Sequence, residues 1–539
     1  MGHRNRASDP ATGRDARPPT PAGTADGCTA HGPGGHEGPV GMGHGRPGEE
    51  GPVGRGAAVP APAPQPPDAV HDTAGSPPTG RDPADQAPAN RASAIRASAG
   101  HDPANRASGQ GRASVRRHDP EGHGPVRGHD PVGHGPVRYG PQMPGDGLPV
   151  LPELSAVLAA AAGRVREEPA GGATALLDAA SGYWDRRGLP TGPGHLAAAP
   201  GPGALLLALT AALGGDVLVP RPCAAWWAPY ARLLGRPVFH VPTPAESGGV
   251  PDPYALLETV RRVRAEGGEP RLLVLSVADD PTGTVAPPEL LHETVEAAVG
   301  EGLHLVSDET WRDTLHDPHA TVLLSPAEML PEDVTVVTDL AGALLPPGWP
   351  AAVARFPASA GDGLHARVLD VLTALGARVA APVAAAAGYA LGEPEPVTDR
   401  RSAAVRLHAR VAAAVHATVV AAGATARPPQ AGRHLYADLG PLRDALGAEG
   451  VGDAQELEDF LTARLGMPAP GGHRFGDDLP ALRVRLGTGP LVAADTEARG
   501  AECLASPEPL ELPHVQRALT GLTSVFDGLR DAQRGEPPR

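Results

Sequence analysis

Three short apolar runs set the strongest limit on the fold. They are LLVLSV at 272–277, LHLVSD at 303–308 and VTVV at 334–337. A strand with one face in water alternates apolar and polar residues, whereas these runs offer apolar side chains to both faces. Helical spacing appears between them, in PYALLETVRRVRAEGG at 253–268 and again after residue 287. Strand and helix in alternation predict an α/β domain, a mainly parallel sheet with helices on both faces. In such sheets ligands bind at the carboxyl ends of the strands. VADDPTG and VSDETW follow two of those ends, so Asp280, Asp308 and Trp311 are expected to face one crevice. A lone aspartate after a strand is also what closes a turn or caps a helix.

This pattern occupies only part of the 539 residues. Residues 1–145 are built from Gly, Pro, Ala, Arg, His and Asp, with almost no large apolar side chains. Such a segment cannot bury enough apolar surface to offset its chain entropy, and we expect a disordered tail. It holds drifting repeats: DPANRAS at 102–108, a broken copy at 82–93, and HDPEGHGPVRGHDPVGHGPVRYGP at 118–141. No repeat position is reliably apolar, so no solenoid follows. Its ten histidines would collect a transition metal only weakly, and we assign no metal site. The rest divides into an expected large domain at 146–375 and a smaller α+β C-terminal domain at 376–539, ended by an amphipathic helix at 512–533. That helix suits either its own lobe or a second subunit.

Charge follows the same boundary. The tail carries 15 Arg against 14 acids, and the remainder 31 Arg against 48 acids. An acidic folded part argues against nucleic acid as a partner. No apolar run reaches membrane-spanning length and no hydrophobic signal core stands at the start. The three cysteines, Cys28, Cys223 and Cys503, lie far apart in no metal-binding spacing, which fits a reduced chain in the cytoplasm.

Five motifs, in order and at matching spacing, resemble the class I/II aminotransferases, the fold type I pyridoxal-phosphate enzymes. They are GYWDRRGLPT with the GPGALLLALTAAL turn behind it, DDPTGTVAPPEL, LHLVSDETWRDTL, VTVVTDLAGALLPPGWPAAVARFP and HRFGDDLPALRVRLGTG. The resemblance runs from about residue 148 to 529 and implies the fold type I architecture. It makes Asp308 the carboxylate that would pair with the cofactor's pyridine nitrogen, keeping the ring an electron sink. Gly201, Pro202 and Gly203 match the phosphate-cradling turn at a helix N-terminus, although Pro202 has no N–H to donate. Arg485 matches the arginine that grips a substrate carboxylate, with Arg483 as the alternative.

The departures from the family pattern fall on the chemistry. Asp280 stands where the family has an asparagine, so an acceptor replaces a donor. Trp311 stands at a tyrosine, where its indole N–H can still donate. Ala224 best matches the aromatic that stacks on the cofactor, with Trp226 and Trp227 close by. Asp339 and Ala341 replace phosphate-binding serines, and Pro350 replaces a phosphate-binding arginine. Gly342 stands at the lysine that holds the cofactor as an imine. Lysine plus arginine number 46 and arginine alone accounts for all 46, so no lysine exists anywhere in the chain. Codon bias toward GC explains the general depletion. An arginine replaces a surface lysine well, but it stays protonated and cannot form an imine. Each lost charge-assisted phosphate contact is worth roughly 1.5–3 kcal/mol.

These residues lead to the expectation of a catalytically defective aminotransferase-like protein. It would act as a binding subunit, a homodimer or a heterodimer with an intact aminotransferase, with a small amino or keto acid as its ligand. The alternative is an enzyme holding pyridoxal or pyridoxamine phosphate noncovalently and weakly, with another base; His304 lies near in sequence. A third reading is a chain that drifted after duplication and kept no role. A transcription regulator is not expected, since the tail has neither a helix-turn-helix pattern nor a basic patch.

Overall fold

The computed structural model describes residues 145–535, apart from residues 245, 359–362 and 494–495. The tail, its repeats, its histidines and Cys28 lie outside the described residues.

A seven-stranded sheet forms the centre. Its strands are β1 (Leu196–Ala199), β2 (Asp216–Arg221), β3 (Val238–Pro242), β4 (Pro270–Ser276), β5 (His304–Asp308), β6 (Val334–Asp339) and β7 (Ala352–Arg355), in the order β1-β7-β6-β5-β4-β2-β3. Strands β2 to β6 are mutually parallel, and β7 runs antiparallel between β1 and β6. The apolar runs explain the layering. Leu273 and Leu275 of β4 enter a core that also holds Leu256, Leu291 and Val295, while Leu272 and Val274 enter another with Leu205, Leu209 and Val368. Successive side chains of a strand face opposite ways, so a strand covered twice must be apolar at consecutive positions.

The covering helices are α1 (Pro152–Ala161), α2 (Thr174–Asp185), α3 (Pro202–Leu213), α4 (Trp227–Leu233), α5 (Pro253–Ala265), α6 (Pro288–Gly300), α7 (Pro326–Met329), α8 (Leu364–Ala374) and α9 (Ala381–Leu391). Proline at the first turn opens most of them, where its missing N–H leaves no bond unmade. Helix α9 packs on α1 and α2, and the first core reaches Val397, past the boundary expected at 375. The alanine-rich face of α9 allows that close approach.

The long helix α10 (Glu395–Ala421) leads to a three-stranded antiparallel sheet of β8 (Thr425–Ala426), β9 (His434–Asp438) and β10 (Arg483–Gly487). Around it lie α11 (Arg443–Ala448), α12 (Ala454–Leu465), α13 (Gly489–Ala493), α14 (Glu497–Ala505) and α15 (Pro513–Gln533). Val411 and Val415 of α10, Leu457 of α12 and Val515, Leu522 and Phe526 of α15 share one core with Leu435 and Val484 of the sheet. The C-terminal helix therefore packs on its own chain.

Candidate functional site

Five parallel strands end along one edge of the large sheet, at Arg221, Pro242, Ser276, Asp308 and Asp339. The ends of these strands and the segments that follow them carry Trp227, Tyr230, Asp279, Asp280, Asp308, Trp311, Asp339 and Gly342, while His434 and Arg485 come from β9 and β10.

Asp308 ends β5 and is buried. Its Oδ1 accepts from the Thr310 backbone N–H at 3.0 Å, and its Oδ2 accepts from the Trp227 indole Nε1–H at 3.1 Å. Burial pushes its carboxyl up to about 6. Trp227 is the first residue of α4 and only 1% exposed. One turn further along, Tyr230 reaches the start of α3. A Cβ added to Gly203 would stand 2.2 Å from the Tyr230 ring, so the phenol lies against the turn expected to cradle a phosphate. Gly201 opens that turn with φ of 101°, which suits glycine, and Pro202 follows as the first helical residue.

Arg485 and Asp280 meet each other. The Arg485 Nη1 donates to Asp280 Oδ1 at 2.7 Å and Oδ2 at 2.9 Å, and the guanidinium lies 4.9 Å from the Phe475 ring centre. The arginine expected to grip a substrate carboxylate thus holds a carboxylate of its own chain. The alternative, Arg483, is engaged too, with Asp438 at 3.1 Å and Asp477 at 3.0 Å. It faces a cleft of about 590 Å³ shared with Arg221, Ser247, Thr282 and Tyr436. Trp311 meets Asp280 only through His434, whose Nε2 lies 3.8 Å from Asp280 Oδ1 and whose ring sits edge-on to the indole at 5.2 Å. Burial holds His434 down at about 4, so it is neutral at pH 7. Asp279, beside Asp280, accepts from the Ser276 and Thr282 hydroxyls at 2.8 and 2.7 Å and is pushed up to about 7 by burial.

The loop after β6 closes on itself. Asp339 accepts through Oδ1 from the Ala341 N–H at 3.1 Å, and its own N–H donates to Thr310 Oγ1 at 3.1 Å. Burial lifts its carboxyl to about 6, with the charge of Asp308 adding to the effect. A Cβ on Gly342 would come 2.2 Å from the Thr310 carbonyl oxygen. Space, not backbone torsion, therefore selects glycine here. Pro350 is exposed and Trp349 packs on the first core, so that stretch serves the fold. His304 sits at the amino end of β5, its Nε2 2.8 Å from Thr335 Oγ1. Four residues of strand put it roughly 13 Å from Asp308, and it takes no place in this cluster.

The residues present do not fit pyridoxal phosphate, the cofactor implied by resemblance. No amine exists to form the imine. An indole N–H already occupies the carboxylate that a protonated pyridine nitrogen would need. The Asp279, Asp308 and Asp339 carboxyls are all shifted toward neutrality, in surroundings that would also have to accept a phosphate dianion. Ala224 is buried without reaching Asp308. Trp227, three residues on, is the side chain that does. Sequence reasoning noted that tryptophan without its role, and missed Tyr230, His434 and Arg433. Aromatic clustering at 226–230 was the available signal for Trp227 and Tyr230, both on α4.

Three kinds of similarity bear on this site. The family described as aminotransferase class I and II matches residues 156–476. The probable aspartate/prephenate aminotransferase of Thermus aquaticus is 34% identical over 139 residues, 25% of this chain and 33% of the relative. The aspartate aminotransferase of Pyrococcus horikoshii is 24% identical over 104 residues. The chain thus spans about a third or less of the length of these curated relatives. Among solved structures, the Thermus thermophilus aspartate aminotransferase with maleate aligns with a TM-score of 0.56 at 22% identity, covering 71% of this chain and 89% of the other. The aromatic aminotransferase of Pyrococcus horikoshii aligns with a TM-score of 0.58 at 17% identity, covering 72% and 95%. At those identities the structures speak for the fold. With well over half of its residues inside the family match, the chain belongs to the class I and II aminotransferase family.

Proposed function

We propose that this protein is a catalytically defective member of its family that works as a binding or heteromer subunit. The observation that carries the reading is the Trp227 indole on Asp308. The carboxylate that would tune a cofactor ring is satisfied by the protein itself. The Asp280 carboxylate does the same for Arg485, where a substrate carboxylate would bind. Both polar anchors expected to recognise small molecules have internal partners, and breaking either pair to admit a ligand would leave a buried charge uncompensated. The absence of lysine supports the same conclusion from chemistry.

As a subunit the chain would pair with a second copy or with a lysine-bearing relative, since family active sites lie between two subunits. A small amino or keto acid remains its natural ligand class by resemblance. Cys223 and Cys503 are both buried and free, in keeping with a reduced, cytoplasmic setting. Among the described residues no helix is long and apolar enough to cross a membrane.

Titration with pyridoxal phosphate and pyridoxamine phosphate, followed by calorimetry and absorbance, tests the reading. No saturable binding is expected at cofactor concentrations of about 1 mM, where ΔG of binding is about −4 kcal/mol. Micromolar binding of either would sink the proposal and favour an enzyme that holds its cofactor without an imine.

A further inference from the structure

A second group of buried polar atoms lies against the Leu340–Gly342 turn, where Arg433 donates to the Ala341 carbonyl. A cavity of about 70 Å³ is lined there by Gly342, Arg400, His408 and Arg433, with Leu151, Leu345 and other apolar side chains completing the walls. Three of its polar atoms have no partner among the described residues: Arg400 Nη1, Arg433 Nε and His408 Nε2. Arg433 is 6% exposed and His408 2% exposed. Unpaired buried polar atoms are rare, because each forfeits its hydration without return.

Arg400 donates to the Pro149 carbonyl at 2.6 Å and Arg433 to the Ala341 carbonyl at 2.8 Å, and a carbonyl neutralises nothing. Arg433 has Asp146 at 3.7 Å, feels the buried Asp339 carboxyl as well, and lies 4.9 Å from the Trp311 ring centre. A third cation at the wall, Arg401, is already paired with Glu393. The two guanidiniums therefore have Asp146 and Asp339 as counter-charges, and what stays open at the cavity is one N–H donor on each, Arg400 Nη1 and Arg433 Nε. His408 adds a polar contact without a charge: burial and the adjacent arginines hold it far below its usual pKa. Its Nδ1 is 2.8 Å from Thr488 Oγ1, which leaves Nε2 for the cavity.

We infer that this cavity binds a small aliphatic hydroxymonocarboxylate. The carboxylate answers Arg400 and Arg433. Thr488 donates its hydroxyl proton to the Arg433 carbonyl and so accepts from His408 Nδ1–H, which leaves Nε2 a bare acceptor that a ligand hydroxyl answers by donating. The aliphatic remainder lies against the leucines. One water takes roughly 10–15 Å³ of such space, so the cavity of about 70 Å³ holds the equivalent of roughly five to seven waters, or a molecule of about that many heavy atoms. The inference does not depend on whether the chain binds a cofactor.

The test is calorimetric titration of the full chain with 3-hydroxybutyrate, butyrate and inorganic phosphate at constant ionic strength. Saturable binding of 3-hydroxybutyrate at one site per chain is expected, about tenfold tighter than butyrate, a difference of one hydrogen bond. His408→Phe should bring the two ligands to equal affinity. Arg400→Gln should weaken both by tenfold or more. Ala404 also lines the cavity, so Ala404→Leu fills it without changing a charge and should abolish binding even if the arginine variant fails to fold. No saturable heat from 3-hydroxybutyrate at about 10 mM, a ΔG weaker than about −2.7 kcal/mol, would overturn the proposal. So would phosphate binding as tightly, or Ala404→Leu titrating like the unaltered chain.

Discussion

Asp339 stands where the resemblance implies a phosphate-binding serine, and it closes its own loop into a self-contained turn. Its carboxylate takes the Ala341 N–H, and its environment raises its pKa from 3.8 to about 6. The native state then holds the proton more tightly than the unfolded chain. The stability this supplies is complete below about pH 4 and is lost as pH rises through about 6. Asp339→Asn keeps the acceptor and removes the charge. Its melting temperature should exceed that of the unaltered chain by a few degrees at pH 8, with the gap closing toward pH 5. A constant gap across that range would show that Asp339 is not the titrating group. Gly342 makes a second prediction at this scale. Gly342→Lys should lower stability by several degrees, because its Cβ meets the Thr310 carbonyl. It should give no imine absorbance with pyridoxal phosphate, and a clear imine band would refute the description of this pocket. The aspartates were legible in sequence because motif spacing placed them at strand ends. The obstruction at Gly342 was not, since Thr310 lies on another loop.

Helix α4 decides the character of the site. Its sequence, with Trp226, Trp227 and Tyr230 together, announces an apolar segment but not its target. Only the packing of α4 behind β2 brings the Trp227 N–H to Asp308 and the Tyr230 ring to Gly203. Trp227→Phe keeps most of the volume and removes the donor. It should cost about 1–3 kcal/mol at pH 8, where Asp308 is ionised, and less at pH 5, where the carboxyl is largely protonated. Denaturant unfolding at the two pH values reads the difference. Equal losses at both would mean that the tryptophan acts by packing alone. The pairing of Asp280 with Arg485 belongs to this scale too. The two residues are 205 positions apart, and β10 brings them together across the sheet edge.

In the molecule as a whole, two sheets are built by two rules. The large sheet buries both faces, so its strands announced themselves as unbroken apolar runs. The small sheet relies on α10, α12 and α15 to close its core. Phe526, fully buried in α15, joins Leu435 and Val484 there. Phe526→Ala should destabilise the chain by about 3–5 kcal/mol, read as a lower denaturant midpoint. A change under about 0.5 kcal/mol, the range of an exposed site, would place the helix elsewhere.

The sequence by itself determined the fold class, the family and the absence of any lysine to form an imine. Each of these rests on local pattern, motif order or composition, which a linear chain displays in full. Tertiary structure decided what filled the anchors left behind. Which indole reaches Asp308, which carboxylate satisfies Arg485, and which polar atoms near Gly342 stay unpaired depend on residues far apart in the chain. Desolvation makes those pairings consequential, because a buried charge must find its partner within the fold or shift its protonation.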